Sequence, residues 1–155
     1  MKFTSTEDIE APIEAVFREI ADFRTFERAA RRHGAEVRRT DALSVPGPGM
    51  GWHVRFVLRE RAREMDIALV TYEPPTGIVL TGDSSAITGQ MRVDLVAVAP
   101  GRTRLGVDLT VKARSLAGRI MMQPFKLMRG NMTRRFRLRV ADFATDVEDR
   151  FKRHA

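Results

Sequence analysis

The sequence contains no cysteine. That rules out disulfides, thiolate metal sites and a cysteine nucleophile. Histidine is scarce: His33, His53 and His154 are the three present, and they lie far apart. No His/Asp/Glu cluster has metal-ligand spacing, so neither a metal nor a cofactor is expected. There is no apolar run of the roughly eighteen residues that a membrane-spanning helix needs. The opening stretch, MKFTSTEDIEAP, has no apolar signal core, which makes the cytoplasm the expected compartment. Residues 46–51 carry glycines but no adjacent Lys-Ser/Thr, so they do not form a phosphate loop. Ser44, Ser84 and Ser85 have no nucleophile-elbow context.

What is present is a chain of 155 residues, 43% apolar, with a formal charge of +7. That length suits one domain with a real core, and residues 1–155 are read as one. The charge is unevenly placed. From Lys112 onward there are 12 basic and 4 acidic residues, whereas the rest of the chain is nearly balanced. A concentrated positive field attracts anions: nucleic acid, an anionic membrane surface or an acidic partner. No nucleic-acid fingerprint accompanies it, so no nucleic acid is expected and a solvated outer face is the simpler reading.

Taken in order, residues 2–10 alternate weakly and read as a strand. Pro12 suits a helix start, and Ile13, Val16, Phe17, Ile20 and Phe23 follow at helical spacing. A second short helix over residues 24–32 ends at Gly34, with His33 at its C-terminal end, where a cation suits the dipole. Strands are expected over 36–41, 51–59, 64–72, 78–81, 88–98 and 103–113. The last two form the clearest hairpin, turning at Pro100-Gly101. The final run, 115–153, carries Met121, Phe125, Met128, Met132, Phe136, Val140, Phe143, Val147 and Phe151 at steps of three or four. As one helix it would span about 55 Å. Pro124 is placed to kink or divide it, and Gly118 and Gly130 weaken it. A strand, two helices, six strands and a long helix make an antiparallel meander with one broad apolar face to cover.

This order resembles the helix-grip fold of the START-like (SRPBCC) superfamily. Ile9-Glu10-Ala11-Pro12 with Ile13-Glu14-Ala15-Val16-Phe17 and Ile20-Ala21-Asp22-Phe23 carries the resemblance at the start. Tyr72-Glu73-Pro74-Pro75 and Gly101-Arg102-Thr103-Arg104-Leu105 carry it later. The chain is similar in particular to the polyketide cyclase/dehydrase-like branch, a broad group of small bacterial proteins. The resemblance implies an α+β fold, with a curved antiparallel sheet of six or seven strands wrapped around a long C-terminal helix. It also implies a cavity between them for an apolar or aromatic small molecule.

Under that fold the concave sheet face and the helix stripe should line the cavity. The candidates are Trp52, Phe56, Ile67, Leu69, Met91, Val93, Met121, Phe125, Met128 and Met132. Methionine suits such a surface because it is flexible and polarizable. The competing reading is that these residues only fill the core. No catalytic residue can be named. His53 falls on the face opposite Trp52, Val54 and Phe56, and His154 is in the tail. Asp66 and Tyr72 share one strand face by simple alternation and are the remaining acid–base pair, although that face is the wet one. Asn131 or Thr133 would be the polar group orienting a ligand, unless they only cap the region of Gly130.

Three functions fit. One is a carrier or sensor of an apolar molecule such as a lipid, polyketide or isoprenoid. The second is a cyclase or dehydrase acting on a polyketide-like substrate. The third is a module whose basic helix makes transient contact with an anionic membrane surface, with Arg129, Arg134 and Arg137 at the head groups and Met and Phe reaching toward lipid. A homodimer would use a sheet edge or the helix.

Overall fold

A computed structural model describes residues 1–154. Strand β1 is Lys2–Ile9, followed by helices α1, Ile13–Ile20, and α2, Phe23–Arg32. Six strands follow: β2 Glu36–Arg39, β3 Gly51–Leu58, β4 Arg61–Glu73, β5 Gly77–Asp83, β6 Ile87–Ala99 and β7 Arg102–Ala113. Helices α3, Leu116–Leu127, and α4, Arg129–Arg153, complete the chain. The seven strands form one curved antiparallel sheet in the order β1-β7-β6-β5-β4-β3-β2. The meander from β2 to β7 is sequential, and β1 closes the far edge by pairing with β7.

Alternation fixes which residues face inward. Trp52 and Val54 lie opposite Ile67 and Met65, while His53 and Arg55 lie opposite Asp66 and Glu64 on the outer face. The alternation breaks once. Leu69 pairs with Leu80 but Thr71 pairs with Val79, so Val70 is the extra residue of a bulge. Beyond it the phase reverses, and Tyr72 turns inward to pack on Phe17 with ring centroids 5.5 Å apart. Asp66 stays on the outer face, 2.7 Å from His53 Nδ1. Asp66 and Tyr72 therefore do not share a face, and the one acid–base pairing that simple alternation allowed does not form.

The C-terminal run is two helices, not one of 55 Å. Ser115 caps α3 by accepting the Gly118 N–H at 3.1 Å. The weakened stretch between Pro124 and Gly130 is where the helix divides, at Met128, whose ψ of 13° departs from helical geometry. Pro124 itself lies within α3. Its missing N–H leaves the carbonyl of Ile120 free on an exposed turn, where water can satisfy it. Helix α4 alone is about 37 Å long and crosses the concave face of the sheet. Val140, Ala144 and Val147 are buried there, and Phe136 meets Phe3 with centroids 5.8 Å apart.

Ile9, Leu69 and Leu105 are at most 1% exposed, and each such side chain stabilises the fold by about 1.5–3 kcal/mol. The buried Thr103 hydroxyl donates to the Ala11 carbonyl at 2.8 Å, tying the entry of α1 to β7. No described helix is long and apolar enough to cross a membrane.

Candidate functional site

Between the sheet, α2 and α4 lies a cavity of about 420 Å³. The strands line it by their two-residue period: Trp52 and Val54 from β3, Ile78 and Leu80 from β5, Met91 and Val93 from β6, Leu105 and Val107 from β7. Ile67 of β4, Val37 of β2 and Ile20 of α1 complete the apolar floor. The two helices close it by the helical period. Helix α2 presents Phe23, Phe26, Glu27 and Ala30, and α4 presents Phe136, Arg139, Val140 and Phe143, with the same steps in each. Phe26 meets Phe143 across the gap, with centroids 6.0 Å apart.

The wall carries two ionisable residues, Glu27 and Arg139. Glu27 Oε1 accepts the Trp52 indole N–H at 2.8 Å, which fixes the indole plane. Phe23 packs against the same indole with ring centroids 5.4 Å apart, and the Arg39 guanidinium stands 5.7 Å from its centroid. Arg39 in turn donates to both oxygens of Asp41, at 2.6 and 2.8 Å. Asp41 also accepts the backbone N–H groups of Gly51 and Leu43. The Arg39 guanidinium and then these amides hold the Asp41 carboxyl well below the usual carboxylate range. Trp52 is thus buttressed by a charged chain that ends on its own strand at Gly51.

Of the ten residues expected from the sequence, Trp52, Ile67, Met91 and Val93 stand together on the cavity wall. The other six do not. Leu69 is fully buried in the core. Phe56 and Met121 line a separate polar cleft at the end of the sheet, and Arg63 reaches Met121 Sδ there at 2.8 Å. Phe125 lies beneath Arg59, with the guanidinium 5.5 Å from the ring centroid. Met128 is half-exposed at the break between α3 and α4, and Met132 lies one turn short of Phe136. The division of the helix explains the shift: the turns that reach the cavity begin at Phe136. Asn131 accepts from Arg134 at 2.9 Å and is not on the wall; nor is Thr133.

Sequence reasoning missed α2 as a wall. The signal was present, because Phe23, Phe26, Glu27 and Ala30 fall at helical spacing. Glu27 and Arg139 carry no sequence signal of their own, because each reaches the cavity only through the packing of its helix. In the polar cleft His53 lies between Asp66 and Glu64, and Asp83 lies 3.8 Å from Arg114. No group of three or more His, Asp or Glu among the described residues could hold a metal ion.

Residues 1–148 match the family model described as polyketide cyclase / dehydrase and lipid transport. The chain belongs to this family. Among curated proteins no sequence matches it. Solved structures agree with the fold at low identity. The Zhui aromatase/cyclase from Streptomyces sp. R1128 is similar at 12% identity and a TM-score of 0.68, covering 97% of this chain and 95% of that one. The protein TTHA0849 from Thermus thermophilus gives 12% identity and a TM-score of 0.66, covering 95% and 97%. A START superfamily protein from Mycobacterium smegmatis gives 12% and 0.55, covering 86% and 95%. Membership in the polyketide cyclase/dehydrase branch of the START-like superfamily and the helix-grip fold agree with the sequence resemblance. They bring with them a fold built to hold a hydrophobic ligand.

Proposed function

We propose that this protein binds and carries a predominantly apolar small molecule, of the lipid, polyketide or isoprenoid kind, in the cavity between the sheet and α4. The carrying observation is the cavity itself: about 420 Å³, walled by aliphatic and aromatic side chains, with ionisable groups only at Glu27 and Arg139. A pocket of a few hundred Å³ with a small number of placed polar groups is the usual form of a small-molecule site. The ligand's apolar body lies against Met91, Val93, Leu105 and Phe136. Its one polar end, a hydroxyl, carbonyl or acid, meets Arg139, because Glu27 already accepts from Trp52.

Trp52 is the only tryptophan in the chain and forms part of the wall. Titration with an apolar fluorescent probe should therefore change its emission with saturable stoichiometry. An unchanged emission at saturating probe would count against the reading.

A cyclase or dehydrase reading is favoured by one observation, the Glu27 carboxylate on the cavity wall. It would serve as a base toward the acidic C–H of a polyketide carbonyl compound. Glu27→Gln would then abolish turnover of a poly-β-ketone while leaving its binding within about threefold. Equal loss of binding and turnover would assign Glu27 to the wall alone.

A further inference from the structure

Helix α3 carries a second apolar stripe, on the side away from the core. Its inward side is Gly118 and Met122, both buried. Leu116, Ile120 and Leu127 stand on the opposite side at steps of four and seven residues, and they are 72%, 65% and 90% exposed. Gln123 falls between them on the same stripe and is exposed. Single exposed apolar side chains are ordinary, but three large ones on one stripe of one helix are not. Arg119 and Lys126 lie along one edge of the stripe, and Arg129 follows at the helix junction. None of these three cations is paired with a carboxylate among the described residues. No Asp or Glu occurs anywhere between Asp108 and Asp142, while nine Lys and Arg do. The Met and Phe stripe, expected from the sequence to reach toward lipid, mostly faces inward; the outward leucines and isoleucine take that place.

We infer that α3 is a docking helix for an anionic lipid surface. An apolar stripe edged by cations matches the boundary between head groups and acyl chains, where such a helix lies in the plane. A nucleic acid would use the cations but leave three exposed aliphatic side chains in contact with phosphate or water. Near an anionic leaflet each added cation strengthens binding by roughly fivefold, and salt weakens it. The inference stands apart from the carrier reading, since it needs no cavity ligand.

The test is sedimentation of the full chain with phosphatidylcholine vesicles, with and without phosphatidylserine. The expected result is binding only to the phosphatidylserine vesicles, reversed by salt. The triple variant Leu116→Ser, Ile120→Ser, Leu127→Ser should lose at least tenfold in binding. Its thermal midpoint and its uptake of an apolar probe into the cavity should match the parent, which separates failure of docking from failure of the carrier reading. Because the chain has no cysteine, Gln123→Cys takes a single environment-sensitive fluorophore, whose emission should shift to the blue on the anionic vesicles. No binding to anionic vesicles overturns the inference. So does binding that the triple variant retains, or a bound protein whose label does not shift. Self-association abolished by the triple variant, with no vesicle binding, would assign the stripe to a second copy and also overturn it.

Discussion

The indole N–H of Trp52 donates to the carboxylate of Glu27 at 2.8 Å, joining β3 to α2 across the rim of the cavity. Helix α2 has few other ties to the sheet beyond Phe23 on the same indole and the Arg31 guanidinium, which donates to the Val37 carbonyl at 2.8 Å. This bond therefore orients the wall and shares in anchoring the helix. Glu27→Ala should lower stability by about 1 kcal/mol in urea unfolding. Glu27→Gln, whose amide oxygen still accepts, should restore most of it. Equal losses in the two variants would show that the bond does not hold α2.

The volume beside Val54 gives the sharpest probe of the cavity. Val54→Phe adds a ring where there is space, on a strand that favours aromatics. Apolar probe affinity should fall at least tenfold, with the thermal midpoint unchanged or raised. Met121→Leu and Phe125→Leu, away from the wall, should leave affinity unchanged. A loss of affinity in those two and none in Val54→Phe would move the site toward α3.

Arg139 should discriminate head groups. Arg139→Gln is expected to weaken binding of an acid-headed amphiphile by about tenfold, the scale of one charge-assisted hydrogen bond. The corresponding alcohol should bind nearly as before. Equal effects on both, measured by competition with the fluorescent probe, would remove Arg139 from ligand recognition.

Acid should loosen the support of Trp52. The carboxyl of Asp41 is held below its ordinary value, so the folded state binds its proton less readily than the unfolded chain does. Its stabilising contribution is complete above the unfolded value of about 3.9 and is lost as pH falls below that toward the folded value. Asp8 shifts in the same direction through Arg104 and Arg102, but it is only partly buried beside two exposed arginines, so salt screens it. Urea midpoints should fall on the acid side of about pH 4, and Asp41→Asn should flatten that limb. An unchanged acid limb in the variant would show that other carboxylates set it.

Close approach holds α3 in place. A Cβ on Gly118 would collide with the backbone carbonyl of Ala86, which already accepts the Arg114 N–H at 2.8 Å. Gly118→Ala should therefore destabilise by about 1–3 kcal/mol in thermal unfolding, through overpacking against backbone that cannot yield. A neutral effect, despite the better helix propensity of alanine, would mean that α3 is free to shift.

The fold was largely legible in the sequence, because period-two alternation and helical stripes were present in every long element. Ile9-Glu10-Ala11-Pro12 and the hairpin at Gly101 carry the family resemblance within the sequence itself. The cavity wall was legible only in part. Trp52, Ile67, Met91 and Val93 followed from strand alternation, which is local. Met121, Phe125 and Met128 stand off the cavity wall because their placement depends on the break at Met128, which turns the chain between two helices that share one sequence stripe. Tyr72 failed through the bulge at Val70, since one extra residue reverses every side chain beyond it. Glu27 and Arg139 could not be told from surface charge by periodicity alone, because each meets the cavity only through the packing of its helix on the sheet.

The most direct measurement is native mass spectrometry of the protein purified from its own host, alongside Val54→Phe purified in the same way. The carrier account predicts an apolar molecule bound at one per chain, released by denaturation and absent from the variant. A folded parent with no bound molecule, or the same adduct retained in Val54→Phe, would contradict it.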